Sequence, residues 1–194
     1  MLYWFSRVIC IFIFKILFRI KIIGKENIPK NGGFILASNH VSYLDPIAIG
    51  VACPRKLNFM ARHDLFHKPL LGWLISHLQA FPVKRASADL SALKEAMRRV
   101  KKGQALILFP EGTRARNGIS SDPQPGIGFL AAKLEVPIIP AFIKGTYEGL
   151  PKGANFIRPV RISVSFGRQI SVERGLPYQK IASDIMDNIR RLAC

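Results

Sequence analysis

Phe34-Ile-Leu-Ala-Ser-Asn-His40-Val-Ser-Tyr-Leu-Asp45-Pro46 is the stretch on which the architecture turns. Residues 34–37 are a short apolar run after two glycines and ahead of polar residues, the pattern of a buried strand. Asp45-Pro46 then offers a helix start, with Asp as cap and Pro in the first helical position. A strand, a short loop and a helix form the opening of an α/β unit. The loop holds His40, at the carboxyl end of a strand, where open α/β sheets commonly carry their chemistry.

Outward from that stretch the alternation continues. Residues 20–23 read as a strand start, and residues 24–33 as a turn-rich connection. Short strands are expected at 57–61, 80–83, 105–109, 136–143 and 161–166. In the last of these, Ile162, Val164 and Phe166 share one face. Helices are expected at 69–78, 87–102, 126–134 and 177–192. The clearest carries Leu90, Leu93, Met97 and Val100 on one side and stops at Gly103. Strands alternating with helices predict an α/β fold with a mostly parallel central sheet flanked by helices. No repeat or low-complexity tract is visible.

The 194 residues suffice for one domain with a sizeable core. Half the chain is hydrophobic and a fifth is charged, a globular composition. With 29 Lys and Arg against 12 Asp and Glu, the net charge is +17. That field attracts anions: nucleic acid, an acidic membrane surface or phosphorylated substrates. Cys10, Cys53 and Cys194 are widely spaced and odd in number, which argues against a disulfide framework or a zinc site. His63 and His67 stand four apart but lack a third ligand or a His-Glu-x-x-His pattern.

Residues 1–23 are very apolar and carry only positive charges, Arg7, Lys15, Arg19 and Lys21. Residues 8–14 are the longest uncharged internal run, much too short to span a bilayer. As a helix, the segment would place Arg7, Lys15 and Arg19 on one broad side. Trp4, Phe5, Ile11, Phe12 and Phe18 would cover much of the rest. This is the pattern of a helix lying in the membrane interface with its cations at the headgroups. The other reading is an N-terminal helix packed on the domain.

Two segments carry chemistry. His40 offers a base for a hydroxyl proton near neutral pH, and Asp45 a carboxylate to orient it. The plainer alternative makes Asp45 a helix cap and His40 a loop residue. Phe109-Pro-Glu111-Gly112-Thr113-Arg114 follows another buried strand. Gly112 permits a close turn that presents N–H groups to an anion, Thr113 adds a hydroxyl and Arg114 can fork onto phosphate oxygens. Glu111 can hold substrate hydroxyls or orient the arginine. Lys84 and Arg85 add cations after the strand at 80–83.

In order and spacing, residues 39–45, 81–85, 109–114 and 136–140 resemble the four blocks of the glycerolipid acyltransferases, most closely bacterial 1-acylglycerol-3-phosphate acyltransferases. The resemblance covers roughly residues 20–170. It implies acyl transfer from acyl-CoA or acyl-carrier protein to the 2-hydroxyl of lysophosphatidic acid, giving phosphatidic acid for phospholipid biosynthesis, with no further cofactor and no metal. It assigns His40 as general base, Asp45 as its orienting partner, and Lys84, Arg85 and Arg114 to the glycerol phosphate, with Glu111, Gly112 and Thr113 shaping that pocket. Residues 1–23 are then a membrane-associating helix and residues 24–194 the acyltransferase domain. The expected location is the cytoplasmic face of the inner membrane, monotopic or peripheral, on anionic lipid.

Leu65, Phe66, Leu70, Leu71, Trp73 and Leu74 suit either an acyl groove or, more commonly at such spacing, core packing. Rival readings are an acyltransferase for another lysophospholipid or lyso-amino lipid, a non-catalytic basic membrane-binding module, and an esterase using Ser42. No Gly-x-Ser-x-Gly elbow supports the last. A nucleic-acid binder would interleave its cations with exposed aromatics; here the aromatics concentrate in the N-terminal segment and beside predicted strands.

Overall fold

The computed structural model describes residues 2–84, 89–114, 122–151, 153–173 and 175–193. Helix α1 (Leu2–Ile16) is followed by a left-handed residue, Arg19, and by strand β1 (Lys21–Ile23). Then come β2 (Phe34–Ser38), α2 (Asp45–Ala52), β3 (Leu57–Arg62), α3 (Pro69–His77), β4 (Ala80–Val83) and α4 (Leu90–Lys101). The chain continues with β5 (Ala105–Leu108), α5 (Pro125–Leu134), β6 (Ile138–Lys144), α6 (Thr146–Gly149), β7 (Ser163–Phe166) and α7 (Tyr178–Arg191).

The strands form one seven-stranded sheet in the order β1-β7-β6-β2-β5-β3-β4. Every neighbouring pair is parallel except β6 and β7. This is the α/β architecture that the alternation predicts. Its central strands are buried on both faces, so they read as continuous apolar runs. Along β2, Phe34 and Leu36 enter one core while Ile35 and Ala37 enter the other. The first core is closed by α1 and α2, the second by α4, α5 and α7.

Element boundaries moved for identifiable reasons. The helix expected at 87–102 begins at Leu90 because Asp89 caps it, accepting from Ser91 N and Ala92 N; residues 85–88 lie outside the described part. Asp45 does not cap α2. It is already the first helical residue, with Leu44 at the cap position, and its side chain turns back toward the loop.

The N-terminal helix divides its faces differently from the sequence expectation. Tyr3 and Phe14 are buried, and Cys10 and Ile11 pack on the first core. Arg7 is not at a solvent face with Lys15. It turns inward and donates to the carbonyls of Gly50, Val51 and Cys53, at 3.0, 3.2 and 2.8 Å. These are carbonyls at and just past the end of α2, which otherwise lack helical partners. The outer face stays apolar and exposed, with Phe5, Val8, Phe12 and Ile16. Among the described residues, no helix is long and apolar enough to cross a membrane.

Core packing fails for part of the 65–74 segment: Leu70, Leu71 and Trp73 are exposed, while Leu65, Phe66 and Leu74 are half-buried. In α3 only Gly72 is buried, because Phe66 O lies against its backbone; Leu70 is 80% and Trp73 54% exposed.

Replacing Arg7 by Met keeps the aliphatic stem and removes all three donors. We expect a loss of about 1–3 kcal/mol, since each charged donor–carbonyl bond is partly shielded. Chemical denaturation in detergent, followed by far-UV circular dichroism, measures it. An unchanged midpoint would mean that water replaces the guanidinium at no cost.

Candidate active site

The site is built at the carboxyl ends of β2 and β5, which pair directly. Where β2 stops, Asn39 extends its pairing through the side chain: Nδ2 donates to Ile143 O and Oδ1 accepts from Ile143 N, at 2.9 and 2.8 Å. The amide thus imitates a backbone unit and pins the loop to β6.

The next residues wrap around Asp45. Its Oδ2 accepts three hydrogen bonds: from His40 Nδ1 at 2.9 Å, Val41 N at 2.6 Å and Ser42 N at 2.7 Å. Asp45 is fully buried. An ionised carboxylate accepts only, so the neutral ring of His40 is assigned its proton on Nδ1, which leaves Nε2 as the acceptor. The His40 side chain keeps 12% of its surface open to solvent. Phe109 stacks on the ring, with centroids 4.1 Å apart.

The second loop reaches the first through Glu111. Its Oε2 accepts from His40 N at 2.9 Å, and the residue is buried. Glu111 thus braces the histidine backbone. The chain turns at Gly112, whose φ of 68° favours glycine and whose N–H donates to Phe109 O. Thr113 and Gly112 are exposed. The Arg114 guanidinium lies 3.4 Å from the Tyr43 ring centroid, and its Nη1 is buried without a hydrogen-bond partner among the described residues.

Of the residues singled out from sequence, His40, Asp45 and Glu111 are in hydrogen-bond contact, and Arg114 joins them through Tyr43. Lys84 stands apart. It follows β4 at the sheet edge, three strands from β2, roughly 14 Å away at the usual strand spacing. Its side chain is exposed and its N–H donates to Asp89. Arg85 lies outside the described residues. Sequence reasoning missed Asn39 as a clamp, Phe109 as a stacking wall and Tyr43 as a platform. An aromatic inside a His-x4-Asp loop is the signal that was available for Tyr43.

Two nucleophiles are removed by their surroundings. Ser42 Oγ donates to Leu150 O at 2.8 Å and accepts from Leu44 N, and the residue is buried. Both of its roles are taken by backbone, so the esterase reading has no activated serine here. Cys53 is fully buried, and desolvation pushes its thiol up to about 11. The arrangement therefore provides an oriented imidazole, a cation held over Tyr43 in the same loop, and neither Ser42 nor Cys53 as an activated nucleophile.

Comparisons with known proteins bear on the family and the fold. A family model described as Acyltransferase matches residues 19–144, a span that includes every residue of the site. A 1-acyl-sn-glycerol-3-phosphate acyltransferase of Bacillus subtilis is 28% identical over 152 residues, covering 78% of this chain and 73% of that protein. One from Limnanthes douglasii is 34% identical, over 76% of this chain and 53% of its own length. The chain thus spans about half to three quarters of these relatives. The crystal structure of the 1-acyl-sn-glycerophosphate acyltransferase PlsC from Thermotoga maritima superposes with a TM-score of 0.80 and 27% identity, over all of this chain and 78% of that one. The match across most of the chain, with the oriented histidine inside it, establishes that the protein belongs to the Acyltransferase family.

Proposed function

We propose that this protein transfers a fatty acyl group from a thioester to the sn-2 hydroxyl of 1-acylglycerol-3-phosphate, giving phosphatidic acid in phospholipid biosynthesis. The observation that carries the reading is the His40 ring fixed by a buried carboxylate, next to a buried guanidinium nitrogen with no protein partner among the described residues. The acyltransferases that the chain resembles act on this acceptor, which supports the choice.

In this mechanism Nε2 of His40 removes the hydroxyl proton, and Asp45 stabilises the imidazolium that forms. The developing alkoxide attacks the thioester carbonyl, forming the new C–O bond. The C–S bond then breaks, and the imidazolium returns its proton to the leaving thiolate. Arg114 holds the substrate phosphate, steadied by Tyr43, with the Thr113 hydroxyl following Gly112 on the same turn. Glu111 holds the two loops in register. Lys84, farther along the edge, is assigned to a phosphate, that of the donor included; Arg85 keeps the phosphate role that the resemblance gives it. The donor is acyl-CoA or acyl-carrier protein, and no other cofactor is invoked.

Residues 1–23 serve as the membrane-associating segment, and residues 24–194 as the acyltransferase unit. The exposed apolar face of α1 lies in the interface of an anionic bilayer, on the cytoplasmic face of the cell membrane. The last three residues of that segment also add β1 to the sheet, which ties the helix to the catalytic unit.

The first test is thiol release by purified protein in detergent with lysophosphatidic acid and acyl-CoA or acyl-carrier protein. Acceptor-dependent release with phosphatidic acid formed is expected; release with another lysolipid alone would change the acceptor. His40→Ala should lower kcat by about 10²–10⁴-fold with the circular dichroism spectrum unchanged. Activity surviving that change would remove the histidine from the mechanism.

Arg114→Ala should act mainly on KM for lysophosphatidic acid, raising it by about tenfold or more. Tyr43→Leu should raise it less, and Tyr43→Phe should leave it near the wild-type value. Equal loss in the Phe and Leu variants would show that the phenol hydroxyl, and not the ring face, supports Arg114.

A further inference from the structure

We propose that the connection between α6 and β7, tipped by Phe156 and Ile157, is a second membrane contact that seats the mouth of the site on anionic lipid. The proposal rests on the lysolipid reading above. Phe156 is 82% and Ile157 52% exposed. Both side chains stand in water on a loop, with Asn155 and Pro159 exposed on either side. Two adjacent large apolar side chains so exposed would gain by leaving water.

The charge around the pair selects the partner. Arg158 and Arg161 follow it directly and are exposed. From residue 144 to 161 the sequence holds Lys144, Lys152, Arg158 and Arg161 against a single carboxylate, Glu148. An apolar tip backed by cations fits an acidic bilayer: the rings enter the acyl boundary while the guanidinium groups meet lipid phosphates.

The loop is tied at both ends to the parts that matter. At its entry, Ser42 Oγ donates to Leu150 O at 2.8 Å, and a Cβ on Gly149 would press on Leu44 at 3.2 Å. The segment therefore rests directly on the His40–Asp45 loop. Arg158 N donates to Gly149 O at 2.8 Å and draws the loop closed. At its exit, Ile162 N donates to Phe18 O, and Lys21 N to Ile162 O, at 3.0 and 2.9 Å. These bonds fasten it to the junction between α1 and β1. The loop bridges the apolar helix and the catalytic loop, so lipid bound at its tip fixes how far His40 stands from the headgroups. A bilayer-embedded lysolipid presents its hydroxyl at that level. An acidic carrier protein and a second copy of the chain are the other occupants that the test separates.

The full chain with Phe156→Ser and Ile157→Ser is compared with wild type by co-sedimentation on vesicles of phosphatidylglycerol and phosphatidylcholine. Binding should weaken by about tenfold or more, from the apolar burial lost. Transfer to lysophosphatidic acid embedded in those vesicles should fall in parallel. Transfer to a short-chain lysophosphatidic acid, monomeric in solution, should not change. Independently, Phe156→Trp should be quenched by brominated lipids beyond the wild-type signal of Trp4 and Trp73. Unchanged vesicle binding together with an unquenched tryptophan would overturn the proposal. So would unchanged vesicle binding with a raised KM for acyl-carrier protein, which would give the loop to the donor, or with a shifted sedimentation coefficient, which would give it to a second copy. If wild type transfers no acyl group while the tryptophan is quenched, the enzymatic reading fails and the membrane contact stands.

Discussion

Oδ2 of Asp45 receives the His40 imidazole and two consecutive backbone N–H groups, and the loop between β2 and α2 is shaped around that oxygen. A buried carboxylate without donors would be costly; three donors at 2.6 to 2.9 Å replace the hydration of Oδ2, while Oδ1 is buried without a hydrogen-bond partner among the described residues. The same bonds fix the loop between β2 and α2 and select the histidine tautomer. A substitution at Asp45 therefore affects fold and base together, and its kinetic effect alone does not report on orientation.

The parallel sheet brings the second loop into reach. Because β5 pairs directly with β2, Phe109 stacks on the imidazole and Glu111 bonds to the backbone of His40. The reversal at β7 has a different consequence. An antiparallel strand next to β6 begins at the end where β6 stops, so the intervening chain lies at the mouth of the site. β1 joins β7 in parallel, which places the end of α1 there as well. One antiparallel pair in an otherwise parallel sheet thus gathers the apolar helix, the Phe156 loop and the base on the same edge.

Strand and helix identities were legible because buried strands and amphipathic helices leave strong local patterns, as in residues 34–37 and in α4. The order of the strands was not, since non-local pairing leaves no mark in any single segment. The His40 and Asp45 pair was visible as spacing, but the role of Asp45 was partly misread: Asp before Pro has the composition of a cap, and only the fold shows its side chain turned toward the loop. Arg7 misled for a related reason. Helical periodicity groups cations by angle, whereas the carbonyls at the end of α2 that capture this arginine come from another element. Leu70 and Trp73 look like core residues by type, yet their helix packs through Gly72 and leaves them outside. Apolar type alone does not say which face of a helix the fold will cover.

That last point bears on the balance of the whole surface. A chain of net charge +17 pays a self-repulsion penalty and also exposes the outer face of α1, Leu70, Trp73 and Phe156. For a protein surrounded by water these features are liabilities of opposite kinds. An acidic bilayer resolves both, because it offers phosphates to the cations and acyl chains to the apolar groups. The buried Nη1 of Arg114 follows the same logic on the scale of one atom. An unsatisfied buried donor costs about 1–3 kcal/mol, which the folded chain sustains through contacts elsewhere. In the proposed reaction a substrate phosphate satisfies that donor, so its binding recovers energy already lost on folding. The guanidinium nitrogen without a partner among the described residues and the exposed apolar surface would suit the two ends of the proposed substrate, an anionic lysolipid held in a membrane.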